Sequence, residues 1–315
     1  MYTEKIDALI RQLEQVIYGK GEQIRLAVAT LLAGGNLLIE DVPGVGKTTL
    51  ALALARSVDL SFGRIQFTPD TLPGDITGYA TIDMRSGDLR FHEGPVMNHL
   101  VLADEINRTS PKTQASLLEV MEERQITTEG RTMPVPDPFM VIATENPVEF
   151  TGTYNLPEAQ LDRFLMRISM GYPTREEEAE MLRTHLAGDR GRALKPVVTR
   201  EELLSMQRET AEITVSAPIR DYIVDIVTAT RESSRLTLGA SPRASLALAK
   251  AAQGWAYLQK RSYVNPEDVQ TVAAAVLTHR LVVSLEASLH KTTAADILKE
   301  CMAQVNVPPV TRTTV

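Results

Sequence analysis

The chain has 315 residues and a formal net charge of −7 at pH 7, with 43% hydrophobic and 23% charged residues. That is the composition of a folded globular protein long enough for two medium domains, and it excludes a largely disordered chain. The acidic total argues against broad electrostatic binding to nucleic acid, although a local basic stripe can sit inside an acidic sum.

The first segment, "MYTEKIDALIRQLEQ", is mixed in charge and amphipathic, a helix pattern without the basic-then-apolar order of a secretion signal. No apolar stretch reaches the length that spans a bilayer, and the single cysteine, Cys301, has no partner for an internal disulfide. With no cluster of Cys and His to hold zinc, these features predict a cytoplasmic protein from a reducing compartment. Next come short apolar runs, "NLLIE", "GRIQFT", "HLVLADE", "FMVIATEN" and "FLMRISM", each ending in polar or turn residues and separated by helical patterns. Near-continuously apolar strands alternating with helices describe a parallel sheet covered on both faces, so an α/β fold is expected up to about Pro173.

Two hairpins interrupt that alternation. "YATID" and "DLRFH" flank the turn "MRSG", and "QITT" precedes the turn-forming "EGR". Hairpins on one side of an α/β sheet point to parts that touch something else. Beyond Pro173 the strand-like runs stop and helix starts take over. Thr174 precedes "REEE", Thr199 opens the capping box "TREE", and Ser241 and Asn265 each precede a proline at the first helical position. The expected division is an α/β domain at residues 1–172 and a helical domain at residues 173–315, with the seam at "MGYPT" and a frayed tail at "VPPVTRTTV".

The chemistry starts at "IEDVPGVGKTTLA", residues 39–51. A phosphate-binding loop needs a strand, a glycine-rich turn with inward N–H groups, a lysine, and a hydroxyl residue opening a helix. Gly44, Gly46, Lys47 and Thr48 meet those needs, and the backbone of Pro43, Gly44, Val45, Gly46, Lys47, Thr48 and Thr49 is the expected cradle. Asp41 stands where the usual pattern has its first glycine. It lies at the strand exit, outside the concavity, so its carboxylate need not face the phosphate.

A triphosphate site also needs carboxylates. "HLVLADEIN" ends a buried run in Asp104 and Glu105, at the strand end where open α/β sheets bind ligands. Asp104 suits Mg²⁺ together with Thr48, and Glu105 suits the general base that polarises water. "FMVIATENP" ends in Thr144, Glu145 and Asn146, and the neutral amide of Asn146 can hydrogen-bond a terminal phosphate or attacking water without added repulsion. Arg163 and Arg243 each lie at a helix end, where a planar guanidinium can reach a transferring phosphoryl group. The alternatives are that Arg163 pairs with Asp162 or Glu158, and that Arg243 is solvated in a first helical turn. Arg108 and Arg167 are further candidates for contacts across a subunit boundary; His92 and His99 read as surface or packing residues.

As a set, "VIYGKGEQIRLAVATLLAGGNLLIEDVPGVGKTTLA", "IQFTPDTLPGDITG", "LVLADEINRTSPKTQASLLEVMEERQIT", "MVIATENP", "LPEAQLDRFLMRI" and "GASPRAS" resemble the AAA+ ATPases, and more narrowly the MoxR family, over most of residues 10–250. In that family the first loop position often carries a residue other than glycine. The resemblance implies an AAA+ P-loop core with a parallel five-stranded sheet sandwiched by helices, and a C-terminal all-α lid. It implies ATP/ADP and Mg²⁺ as cofactors, with Lys47 and Thr48 on phosphate and magnesium, and Asp104 and Glu105 on metal and water. Asn146 would be the first sensor, Arg163 the finger reaching the adjacent subunit, and Arg243 the second sensor in the lid. "VIYG", with Ile17, Tyr18 and Gly19, would pack near the adenine, and both hairpins would face a ring pore or partner.

Members of the family resemble chaperones that use ATP turnover to remodel or activate partner proteins, often alongside von Willebrand A domain proteins and in metal-centre insertion. A finger acting in trans makes hydrolysis depend on assembly, so a homo-oligomeric ring, most naturally a hexamer, is the expected active form. A magnesium-chelatase-like motor subunit shares the same core. A DNA-associated motor resembling McrB or replicative helicases should show basic hairpin tips, whereas "MRSGD" and "TEGRT" balance cations with acids or nearly so, which makes nucleic acid an unlikely partner. A non-catalytic scaffold would leave Glu105 idle, and a GTPase is disfavoured because the sequence has no Asn-Lys-x-Asp segment to read guanine.

Overall fold

The computed structural model describes residues 2–42, 44–84, 88–128, 130–146, 153–186 and 194–309. The chain begins with helices α1 (Thr3–Glu14) and α2 (Gly21–Leu32). Helix α1 buries Ile6, Leu9, Ile10 and Leu13, the three-and-four spacing of one helical face. Then come β1 (Leu37–Glu40), α3 (Lys47–Ser57), β2 (Phe62–Gln66), α4 (Pro73–Thr77), β3 (Gly78–Ile82), β4 (Leu89–Glu93), β5 (Leu100–Asp104) and α5 (Pro111–Glu123). β6 (Gln125–Thr128), β7 (Arg131–Pro134), β8 (Met140–Glu145), α6 (Glu158–Leu161) and β9 (Met166–Ile168) complete this half.

Five strands form one parallel sheet in the order β2-β5-β8-β1-β9. Its two faces enter different cores. Leu37, Ile39, Leu100, Leu102, Met140 and Ile142 join the apolar cluster that contains α1, α2 and α3. Leu38, Val101, Ala103, Val141 and Ala143 join the cluster built with α5. This period-two division, with both faces covered, is why each strand reads as an unbroken apolar run. The order also sets the carboxyl ends of β1, β8 and β5 side by side, which forms the ligand crevice of an open α/β sheet.

The two expected hairpins are the antiparallel pairs β3–β4 and β6–β7. Gly78, at φ +94°, starts the first; a Cβ there would lie 2.3 Å from the His92 carbonyl oxygen, so no larger residue fits. His92 stacks on Tyr79 and meets Thr81, and His99 meets Ser61, both packing roles.

After β9 the chain is mostly helical: α7 (Arg175–Leu186), α8 (Arg200–Ala211), α9 (Ala217–Glu232), then β10 (Leu236–Leu238), α10 (Pro242–Leu258), α11 (Pro266–Leu277), β11 (Val282–Val283), α12 (Leu285–Leu289) and α13 (Ala294–Gln304). The antiparallel ribbon β10–β11 departs from the expectation of an all-helical second half, because runs of three and two residues are too short to show a period. The expected capping box forms at Thr199–Glu202, and Asn265, expected only to precede a proline at the first helical position, forms a second one with Asp268. Ser241 precedes α10 as expected, yet its hydroxyl donates to Asp162 Oδ2 at 3.3 Å rather than capping its own helix. Helix α10 lies against α2 at Gly254, where a Cβ would come within 2.5 Å of the Ala29 carbonyl oxygen. That close approach ties the helical half to the sheet half.

Candidate nucleotide site

The loop after β1 turns on Gly44 at φ +84° and Gly46 at φ +93°. A Cβ on either would meet nothing within 4 Å, so glycine is needed there for backbone direction and not for room. Gly46 precedes α3, whose first turn holds Lys47 and Thr48, so the free N–H groups of a helix start line the loop. Val45 and Thr48 are half-buried and Thr49 is exposed, while Pro43 lies outside the described residues. The Lys47 ammonium donates to the Asp41 carbonyl oxygen at 2.7 Å and to that of Glu145, at the end of β8, at 3.3 Å. Burial pulls its pKa below the ordinary lysine value, and the carboxylates of Asp41, Asp104 and Glu105 pull it back.

Those last two carboxylates end β5 and are fixed by one hydroxyl of β8. Thr144 Oγ1 donates to Asp104 Oδ1 at 2.7 Å and accepts from the Glu105 N–H at 2.8 Å. Glu105 sits at φ +58°, a left-handed conformation that costs an ordinary side chain roughly 1–3 kcal/mol and here turns the carboxylate out of the sheet. Its Oε2 accepts from Gln66 at 2.9 Å and from Arg108 at 3.0 Å, and Asp104 Oδ2 accepts from Arg64 at 2.7 Å. Arg108, a candidate for a subunit boundary, is thus placed on its own chain's Glu105. Asn146 is buried just past β8, its carbonyl accepting from Asn107 at 3.2 Å. Lys47, Asp104, Glu105 and Asn146 therefore stand at the ends of three neighbouring strands.

Among the described residues no group of three or more His, Cys, Asp or Glu side chains forms a metal cage. Asp104 and Thr48 offer one carboxylate and one hydroxyl. Such hard oxygen donors fit magnesium, which is commonly held by one or two side chains with phosphate oxygens and water.

Asp41 faces the other way. Its Oδ1 accepts from the Val42 N–H at 2.8 Å, and its Oδ2 from Ser169 Oγ at 3.0 Å and the Gly171 N–H at 2.5 Å. Burial pushes this carboxyl up, but the N–H groups of Gly171, Val42 and Met170 and the Ser169 hydroxyl outweigh it and hold the pKa below the ordinary value. "VIYG" meets the same seam. Ile17 is buried, a Cβ on Gly19 would collide with Glu177 at the start of α7, and Lys20 donates to the Tyr172 carbonyl oxygen at 3.0 Å. Beside the loop, Arg167 reaches Glu40 at 2.5 Å and Thr278 at 3.3 Å, inside its own chain. Burial and the neighbouring Glu40 raise the Glu145 carboxyl to about 7.

The remaining arginines meet on the surface at one carboxylate. Arg163 Nε donates to Glu122 Oε2 at 2.8 Å, and Arg243 Nη2 to Glu122 Oε1 at 3.1 Å. Arg163 pairs with Glu122 rather than with Asp162 or Glu158, while Arg243, in the first turn of α10, is largely exposed as its alternative reading expected and shares the same carboxylate. The structure brings Arg243 to the finger candidate, at the last turn of α5. Sequence reasoning missed Glu122, Arg64, Gln66 and Arg280. Gln66 stands opposite Asp104 in the β2–β5 register, a relation visible only once the strand order is known.

Residues 36–166 match the model of the AAA ATPase family associated with various cellular activities, and residues 228–301 match the AAA lid domain. The chain is 39% identical to Chaperone MoxR1 of Mycobacterium tuberculosis, over 97% of this chain and 83% of that protein. It is 32% identical to Protein MoxR of Paracoccus denitrificans, over 86% and 87%, and 47% identical to the uncharacterised YeaC of Bacillus subtilis, over 95% and 93%. A Cytophaga hutchinsonii crystal structure, described as that of a candidate ATPase, superposes with a TM-score of 0.91 at 36% identity and covers 98% of this chain and 96% of its own. With a parallel five-stranded AAA core, a helical lid region and relatives of this likeness along nearly its whole length, the chain belongs to the MoxR family of AAA+ ATPases.

Proposed function

We propose that this chain is a magnesium-dependent ATPase that works as a homo-oligomeric ring, most naturally a hexamer, and remodels or activates a protein partner in the cytoplasm. The observation that carries the reading is the convergence of Lys47, Asp104, Glu105 and Asn146 at the ends of β1, β5 and β8, with two arginines gathered elsewhere, on the surface at Glu122. The first group is the half-site that binds a triphosphate; the second is the kind of group an adjacent copy supplies.

In this reading the α3 start and Lys47 hold the phosphates of ATP, and Ile17, Tyr18 and Gly19 line the adenine. Lys47 exchanges two backbone carbonyls for phosphate oxygens, a favourable trade for a partly desolvated ammonium. Asp104 and Thr48 would hold Mg²⁺, which supplies charge neutralisation on the transferring phosphoryl group. Glu105, already turned out of the sheet, takes the proton of the attacking water, and Asn146 orients that water or the terminal phosphate. Arg163, with Arg243 beside it, would leave Glu122 for the phosphates bound by the next copy. Arg167 is anchored on Glu40 and Thr278, so Arg163 is the better finger. We place the division between core and lid at residues 172 and 173. Among the described residues no helix is long and apolar enough to cross a membrane. The chaperone name belongs to the Mycobacterium relative; by likeness, a protein client, with a von Willebrand A domain protein among the candidates, is the partner expected here.

The test is hydrolysis against protein concentration. Lys47→Ala should lose ATP binding. Glu105→Gln should keep binding and lose hydrolysis by about 10²–10⁴-fold. Arg163→Ala should be inactive alone and regain activity when mixed with Lys47→Ala chains. Hydrolysis that is first order in protein and indifferent to Arg163→Ala would refute the shared site.

A further inference from the structure

The segment that carries Arg163 is gripped by a residue of the helical half that no motif marks. Arg280 ends the short 3-10 turn Thr278–Arg280 after α11 and is only 5% exposed. Its Nε donates to Asp162 Oδ1 at 2.6 Å. Nη2 donates to the carbonyl oxygens of Asp162 at 3.2 Å and Phe164 at 2.7 Å, and Nη1 to that of Leu165 at 3.4 Å and to that of Val276. Three of those carbonyls bracket Arg163 in the chain. His279 Nε2 lies 2.7 Å from Arg280 Nη1 and 3.2 Å from the Phe164 oxygen, so according to its tautomer it accepts from the guanidinium or donates to that carbonyl, one of the two, and Ser241 donates to the second Asp162 oxygen at 3.3 Å.

Two arginines separated by this one loop are thus held very differently. Arg163 ends on Glu122 at the surface, an ion pair of the kind worth at most about 1 kcal/mol, so its side chain can leave. The backbone beneath it cannot move without breaking a buried, forked arginine contact. A buried ion pair is a weak stabiliser, because desolvation offsets most of the attraction, but it fixes geometry well.

We propose that Arg280 is the positioning residue of the finger: by clamping residues 162–165 it sets the direction in which Arg163 projects and makes that aim follow the lid. This rests on the reading of Arg163 as a residue that acts on an adjacent copy. A misplacement near 1 Å is enough to cost about a hundredfold in rate. Lysine at 280 can keep the Asp162 contact but cannot reach several carbonyls at once.

The experiment uses the full-length chain with Arg280→Lys, and independently Asp162→Asn in case the first unfolds. Thermal unfolding and ATP affinity are measured beside hydrolysis. The expectation is ATP affinity within about twofold of the parent and hydrolysis lower by about tenfold to a hundredfold. Mixing then separates the roles. Arg280→Lys chains keep a sound loop and a badly aimed finger, so they should regain hydrolysis with Lys47→Ala chains and not with Arg163→Ala chains. The reverse pattern, or parental activity in both variants, overturns the positioning role while leaving the shared site intact. If Lys47→Ala and Arg163→Ala chains fail to complement each other, the shared site falls and the inference with it.

Discussion

Replacing Asp41 with glycine restores the usual loop pattern, and the structure predicts that this repair destabilises the protein. Asp41 is 8% exposed, and its carboxylate accepts from the Val42 and Gly171 N–H groups and the Ser169 hydroxyl. Each buried donor left without its acceptor costs about 1–3 kcal/mol, less where water can enter, and glycine adds about 0.5–1 kcal/mol of backbone entropy. With three donors orphaned, the expected loss is therefore at least about 3 kcal/mol, a large part of a typical stability of about 5–15 kcal/mol. Asp41→Asn, which retains one acceptor oxygen, should lose about half as much. The measurement is urea unfolding at pH 7, read as a fall in the midpoint at constant slope. The pH dependence has a definite sign. The folded pKa lies below the ordinary value of 3.8, so the carboxylate's contribution is full above that value and fades as pH falls through the folded pKa. A change below about 0.5 kcal/mol at pH 7, the range of an ordinary surface substitution, would refute the assignment of Asp41 to the seam.

Glu145 behaves in the opposite sense. Its carboxyl is raised from 4.5 to about 7, so the folded state binds the extra proton and stability falls as pH rises between those values. Glu145→Gln should remove that slope and stabilise the protein at pH 8 by at most about 3 kcal/mol, measured by unfolding at pH 5 and pH 8; equal effects at both would contradict it. Thr144→Val keeps shape but strips Asp104 of a donor and the Glu105 N–H of an acceptor. It should lower stability by about 2–4 kcal/mol and hydrolysis by more than tenfold, seen by calorimetry and phosphate release. Glu122→Ala frees Arg163 and Arg243 from a surface pair, so stability should move by less than about 1 kcal/mol. Half-maximal hydrolysis should come at lower protein concentration, and an unchanged concentration curve counts against the finger being held in reserve.

What the sequence discloses follows from how local each requirement is. The loop from Gly44 to Thr48 is contiguous, since strand, turn, lysine and helix start must follow one another to wrap a phosphate. The five strands are legible because both sheet faces are covered, which forces unbroken apolar runs, and the hairpins because their turns have a distinctive chemistry. The residues that hold this machinery in place are not local. Asp41 and Ser169 are 128 positions apart, Arg280 and Asp162 118, and Arg243 and Glu122 121. A buried carboxylate can be satisfied by any donor the fold brings to it, so no spacing rule marks the partner. Asp41 shows the consequence most plainly. As a departure from the loop pattern it reads as a neutral substitution at the strand exit, and only the position of Gly171 beyond β9 reveals it as the hydrogen-bond acceptor that joins the phosphate loop to the start of the helical half.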